Sequence, residues 1–132
     1  MAKFSKASQE KLETCHLDLQ HLFNEVIQYF DCTILCGQRG EREQNEAFRM
    51  KYSKLKFPQS RHNEIPSMAV DAAPYPINWK DRDRFYFFAG FVMGVAARMG
   101  IKIRWGGDWD SDTEVDDQTF MDWPHFELVK RK

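Results

Sequence analysis

Histidine is scarce in this chain, with four in 132 residues, so any imidazole chemistry must come from His16, His21, His62 and His125. Long apolar runs are lacking as well. The most apolar stretch, around Phe85 to Met99, is interrupted by Gly90, Gly94 and Arg98. It falls short of the roughly 20 apolar residues that a spanning helix needs, so no stable membrane insertion is expected. The opening segment MAKFSKASQEKLET has no apolar core and no small-residue cleavage site, so no signal peptide is expected either. Cys15, Cys32 and Cys36 cannot all pair within the chain, and an odd count suits a reducing compartment. Residues 105–129 contain no Lys or Arg but eight acidic side chains. Residues 1–104 carry sixteen basic and twelve acidic ones, and the overall net charge is −1. That balance predicts no nucleic-acid partner and concentrates the acidity in one loop.

Against these absences stand a 42% hydrophobic content and 14% aromatics, including eleven Phe and four Trp, which is enough for one core and argues against disorder. The length fits a single domain, residues 1–132. Leu12, Cys15, Leu19, Leu22, Phe23, Val26, Ile27 and Phe30 recur at three- and four-residue steps and predict one amphipathic helix over 8–30, with Ser8 as N-cap. Cys32–Cys36 reads as a strand, 41–52 as a polar helix, and 68–72 as a short strand. Residues 81–99 read as a second strong helix, with Asp81 and Asp83 at its positive end and Gly100 as its stop. Strands are expected at 101–105 and 125–129, either side of an acidic loop at 106–119. The order predicts an α+β fold, a small sheet with helices packed on one face.

His16 and His21 are five residues apart, about 140° around a helix, so they do not share a face and read as surface or boundary residues. His62 stands in Ser60-Arg61-His62-Asn63, shortly before Asp71. Asp71 follows Ala69-Val70 and precedes Ala72-Ala73. A carboxylate in so apolar a strand costs free energy unless it is paired or bound to metal. In Asp122-Trp123-Pro124-His125-Phe126-Glu127, strand alternation puts His125 and Glu127 on one face and Phe126 and Leu128 on the other. Spacing alone leaves two readings open: a zinc site of His and Asp ligands, or ordinary polar residues at strand ends.

The combined pattern resembles a known family. Ser60-x-His62, eight intervening residues, Asp71, and much later Asp122-x-x-His125 is similar to the signature of the D-alanyl-D-alanine carboxypeptidase and L-alanyl-D-glutamate endopeptidase family of zinc enzymes. Gly37-Gln38-Arg39, His62-Asn63-x-x-Pro66-Ser67-x-Ala69-Val70-Asp71 and Trp105-Gly106-Gly107-Asp108-Trp109 resemble its phage endolysin branch. The resemblance runs from about residue 33 to 129. It implies a hedgehog/D-Ala-D-Ala peptidase-like fold and Zn2+ on His62, Asp71 and His125. It also implies Asp122 as catalytic acid–base, with Glu127 as the other candidate, and Arg39 as a cation facing the scissile carbonyl or a substrate carboxylate. Ser60 would orient its loop or touch substrate. Many relatives have Glu where this chain has Asp122, and the shorter side chain must sit closer to the metal-activated water. The function implied is hydrolysis of the L-alanyl-D-glutamate bond of the peptidoglycan stem peptide. The implied enzyme is a monomer that stays in the host cytoplasm until it is released to the cell wall. A D-alanyl-D-alanine carboxypeptidase or dipeptidase, and a non-catalytic zinc-stabilised wall-binding domain, are the alternatives.

The acidic loop holds Asp108, Asp110 and Asp112 at alternating positions, then Glu114, Asp116 and Asp117. Its start resembles a Ca2+ loop, but Thr113 replaces the turn Gly and Thr119 stands where a bidentate Glu belongs. A solvated acidic loop is the simpler reading, with calcium as the alternative. Cys32 and Cys36 would lie about 13 Å apart on a strand, too far to share one ion, so all three cysteines read as buried or free thiols. Trp105, Trp109 and Trp123 read as core residues or as a cleft lining.

Overall fold

The computed structural model describes residues 2–109, 111 and 122–129. Among these described residues, four α-helices, α1 (Lys6–Leu12), α2 (Leu17–Val26), α3 (Glu41–Arg49) and α4 (Arg82–Met99), accompany four strands, β1 (Cys32–Cys36), β2 (Ala69–Pro74), β3 (Ile103–Gly106) and β4 (Asp122–Leu128). The sheet order is β1-β2-β4-β3, with every neighbouring pair antiparallel. No helix among the described residues is long and apolar enough to cross a membrane.

The sheet has two chemically different faces because its strands alternate. Ile34, Val70, Ala72, Ile103, Trp105, Phe126 and Leu128 point into the core, where they meet Leu19, Leu22, Phe23 and Val26 of α2 and Phe88, Ala89, Val92 and Ala96 of α4. Phe126 ties the layers together: its ring meets Phe23 edge-on at 5.7 Å and Phe88 at 6.2 Å. The opposite face carries Asp71, His125, Glu127 and Arg104. Register puts Asp71 opposite His125 and Arg104 opposite Glu127. The expected small sheet with helices on one face is therefore present in α1, α2 and α4. Helix α3 supplies nothing to the apolar core and stands beside the polar face.

The single helix expected over 8–30 is two helices. Apolar spacing continues through residues 13–16, but the backbone there pairs elsewhere: His16 N donates to Ser67 O (2.8 Å) and Ser67 N to Thr14 O (3.0 Å). This long-range pairing outweighs local helix preference, and His16 Nδ1 caps the restart by accepting from Asp18 N. The same break anchors the polar face, because Thr14 Oγ1 also accepts from Gln38 N at 2.8 Å. The N-cap of α1 is Ser5, not Ser8. Ser8 is buried, and its hydroxyl accepts from Ile34 N (3.0 Å), satisfying a donor on the outer edge of β1. Helix α4 begins at Asp81, which caps Arg84 N, and ends at Gly100 with φ 74°, as the sequence predicts.

Phe126→Ala should lower the unfolding free energy by about 3–5 kcal/mol in urea titrations, because it empties the contact between both helices and the sheet. A loss below about 1 kcal/mol would contradict this placement of the core.

Candidate metal centre

Three elements bring the site together. His62 sits in a single 3₁₀ turn, Arg61–Asn63, whose N-cap is Ser60: the Ser60 hydroxyl accepts from His62 N at 3.1 Å, and Asn63 Oδ1 accepts from Ser60 N at 3.0 Å. Asp71 lies mid-β2 and His125 directly across from it on β4. His62 Nε2 is 3.1 Å from Asp71 Oδ1, His125 Nδ1 is 3.2 Å from the same oxygen, and the two nitrogens are 3.3 Å apart. All three side chains are largely buried.

Outer contacts decide which way the imidazoles face. His62 Nδ1 lies 2.8 Å from the Gly37 carbonyl, and His125 Nε2 lies 2.8 Å from Glu127 Oε1. A carbonyl and a carboxylate can only accept, so each ring donates its outer N–H and turns its other nitrogen inward. Two nitrogen lone pairs and a carboxylate oxygen then converge, an arrangement that needs a cation between them. With metal–ligand bonds of about 2.0–2.2 Å, a tetrahedron has edges of about 3.3–3.6 Å, close to the observed triangle. The donor set, the distances and the outer acceptors that fix the ring orientations all fit one divalent ion.

Without an ion, protons must fill the same role. Burial opposes charge on His62, but Asp71 outweighs it and raises the imidazole to about 10. Burial likewise opposes charge on His125, and Asp71 with Glu127 raises it to about 9. Burial would push the Asp71 carboxyl up, yet the two imidazoles hold it far below the usual carboxylate range.

Asp122 stands at the start of β4, pushed up to about 6 by burial and then by Asp71, with His125, His62 and Arg39 pulling the other way. A bulge puts it there. Pairing runs Trp105 with Phe126 and then jumps to Gly106 with Asp122, so Trp123, Pro124 and His125 are extra residues on β4. Gly106 is required at this crossing, since a Cβ there would overlap the Asp122 carbonyl. Glu127, the alternative acid–base residue, is committed elsewhere. It accepts from His125 and from Arg104 Nη2 (2.7 Å), and Arg61 Nε lies 3.7 Å away. Burial would raise it, but His125 and Arg104 prevail and hold it at about 2, an acid too strong to carry a proton at neutral pH.

Arg39 enters from the loop after β1. Its Nη2 is 3.6 Å from Asp71 Oδ2 and its Nη1 donates to Gln44 Oε1 at 2.8 Å. The sequence does not single out Gln44, yet it is fully buried in an otherwise polar helix. It also binds Ser53 Oγ, Leu55 O and Asn63 Nδ2, and so locks Arg39 to the His62 turn. Nothing in the polar pattern of 41–52 distinguishes it.

Arg39, Ser60, His62, Asp71, Asp122 and His125 line a cleft of about 750 Å³ that also takes in Trp79, Arg61 and Arg104, three further residues that sequence reasoning leaves unmarked. Trp109 packs 5.4 Å from the His125 ring, Trp123 lines the cleft, and Trp105 is core. His16 caps α2 and His21 is exposed, both away from the cleft lining. Cys15, Cys32 and Cys36 are free thiols. The calcium expectation rests mainly on Asp110, Asp112, Glu114, Asp116 and Asp117, which lie outside the described residues, and nothing described supports it.

A small α+β domain whose cleft is lined by a His-Asp-His donor triangle has the groups to hold one metal ion beside a bound molecule. The sequence profile of the phage L-alanyl-D-glutamate peptidase family matches residues 1–129, and the chain belongs to that family. It is 30% identical over 135 residues to the L-alanyl-D-glutamate peptidase of Escherichia phage T5, covering 96% of this chain and 98% of that protein. Its fold is similar to the crystal structure of the Serratia marcescens L-Ala D-Glu endopeptidase ChiX, with a TM-score of 0.75 and 28% identity over 96% of this chain and 90% of the other.

Because an entering ion must displace the protons held at His62 and His125, binding should release protons, and affinity should rise with pH toward 9–10. Calorimetry in buffers of different ionisation enthalpy measures this release. In the metal-free protein the raised imidazoles contribute stability that is complete below their ordinary value of 6.5 and lost as pH climbs through about 9 to 10. Metal binding independent of pH from 6 to 9 would contradict this.

Proposed function

We propose that the chain is a zinc-dependent endopeptidase that hydrolyses the L-alanyl-D-glutamate bond in the peptidoglycan stem peptide. The observation that carries the reading is the donor triangle of His62, Asp71 and His125, set beside a raised carboxyl at Asp122. Membership of the peptidase family and the activity of the relatives, an L-alanyl-D-glutamate peptidase and an L-Ala D-Glu endopeptidase, support this choice of substrate.

When bound, zinc supplies Lewis acidity that polarises a peptide carbonyl and acidifies a water. The chain's own groups do the rest. Asp122, ionised above about 6, takes the proton of the attacking water and returns it to the leaving amine of D-Glu. The nearby divalent charge lowers that value, so the acid limb of kcat/KM belongs below about 6. Arg39, held by Gln44, presents a fixed cation for the developing oxyanion or for a substrate carboxylate. Glu127 keeps His125 in the tautomer that faces inward. Ser60 serves through its cap on the His62 turn and by lining the cleft.

The wider setting belongs to the same proposal. A phage lysis enzyme would act as a monomer and remain in the host cytoplasm until released to the wall. The absence of any apolar run long enough to span a bilayer in the sequence is compatible with that course.

Digestion of purified peptidoglycan followed by mass analysis tests the reading. New stem fragments with free D-Glu amino termini, lost on chelation and restored by zinc, are expected. Release of single D-Ala would point to the carboxypeptidase instead, and intact stems from zinc-loaded protein to a binding domain. Asp122→Asn should keep stoichiometric zinc and lose about 10²–10⁴-fold in kcat. Gly106→Ala, which forces the Asp122 backbone aside, should lower kcat by at least about tenfold with little change in KM or zinc content. Equal losses in zinc content and kcat would assign Gly106 to folding alone.

A further inference from the structure

Strand β1 does not keep its register to the end. Ile34 pairs with Ala72, but Asp71 pairs with Cys36 and not with Leu35, so one residue is bulged out between them. A bulge re-aims the side chain that follows it. Cys32 and Ile34 face the core, and uninterrupted alternation would send Cys36 the same way. Instead Cys36 is half-buried and outside the core cluster. Cys36, His62 and Asp71 each offer a donor atom within 4.8 Å of the others.

The three thiols differ in their surroundings. Cys15 and Cys32 are packed in the core, and burial pushes both up to about 12, which keeps them protonated and inert. Cys36 Sγ has a weak 3.5 Å contact with the Gly37 carbonyl, an oxygen that already takes His62 Nδ1 at 2.8 Å. The thiol is also within hydrogen-bonding reach of the His62 side chain. A soft donor therefore stands beside two of the three groups assigned to the ion, on a strand distortion that turns it toward them.

We propose that Cys36 is a fourth protein donor to the ion held by His62, Asp71 and His125, giving the centre a thiolate-closed form alongside the form open to water and substrate. This rests on the reading of the donor triangle as the metal centre. On coordination one metal–sulfur bond forms, the thiol proton passes to solvent, and no oxidation or reduction is involved. Zinc accepts sulfur as readily as nitrogen or oxygen, and four protein ligands close a site that three leave open. Substrate would enter by displacing the sulfur. Thiolate ligation also selects softer ions, so the closed form should favour cadmium over zinc.

The test is cobalt substitution of the whole chain. Visible ligand-field bands report a bound four-coordinate ion whatever its donors, whereas a near-ultraviolet charge-transfer band appears only with a thiolate. Wild type should show both, and Cys36→Ser should keep the visible bands and lose the charge-transfer band. Its preference for cadmium over zinc should fall by about tenfold. Visible bands without charge transfer in wild type would overturn the role of Cys36 and leave the centre intact. Failure to bind cobalt stoichiometrically would overturn the centre as well. Cadmium NMR of the wild-type protein gives an answer that needs no variant: a resonance moved downfield into the sulfur range is expected, and one in the nitrogen–oxygen range overturns the proposal.

Discussion

Two imidazole lone pairs and a carboxylate oxygen face one another across no more than 3.3 Å in largely buried positions, with the outer N–H of each ring already given away. Mutual repulsion of three acceptors in a low-dielectric setting is severe, and only positive charge between them relieves it. Protons do so in the metal-free protein, and a divalent ion does so more completely. Much of the molecule is arranged to hold this convergence in place. The register of β2 on β4 sets Asp71 against His125, Ser60 and Asn63 close the turn that presents His62, and the Gly37 carbonyl and Glu127 fix the two rings.

Around that centre the fold divides its labour by strand alternation. One face of the sheet is spent on Phe126, Val70 and their neighbours, which anchor it to α2 and α4. The other carries the polar groups of the cleft, each held by a neighbour. Arg39 is held by Gln44, His125 by Glu127, Glu127 by Arg104, and the Asp122 crossing by the missing side chain of Gly106. Rigidity of this kind is what an electrostatic site needs, because donors and charges already in place need not reorganise during reaction. Family membership gives the hydrolysis of a peptide bond, and the same polar face that gathers the donors opens into a cleft of about 750 Å³.

Much of this was legible in the sequence, for reasons that differ from residue to residue. Alternation in Asp122–Leu128 is enough to pair His125 with Glu127 and oppose Phe126, and Asp71 betrays itself as a charge in an apolar strand. Helix α4 has its cap, its length and its Gly100 stop written locally. What escapes is set by contacts distant in sequence. The break at residues 13–16 follows from pairing with Ser67, and the burial of Gln44 from loops at 53–55 and 63. The turn of Cys36 toward Asp71 follows from a bulge in β1. Local propensity carries no record of any of these, and the strand spacing that separates Cys36 from Cys32 gives no hint that its neighbours are His62 and Asp71.

The most direct test of the account is diffraction from zinc-loaded crystals on either side of the zinc absorption edge. A single anomalous peak about 2.0–2.2 Å from His62 Nε2, Asp71 and His125 Nδ1 is predicted. A peak elsewhere, or an empty triangle in protein that carries zinc, would contradict the claim that this convergence of acceptors exists to hold the catalytic ion.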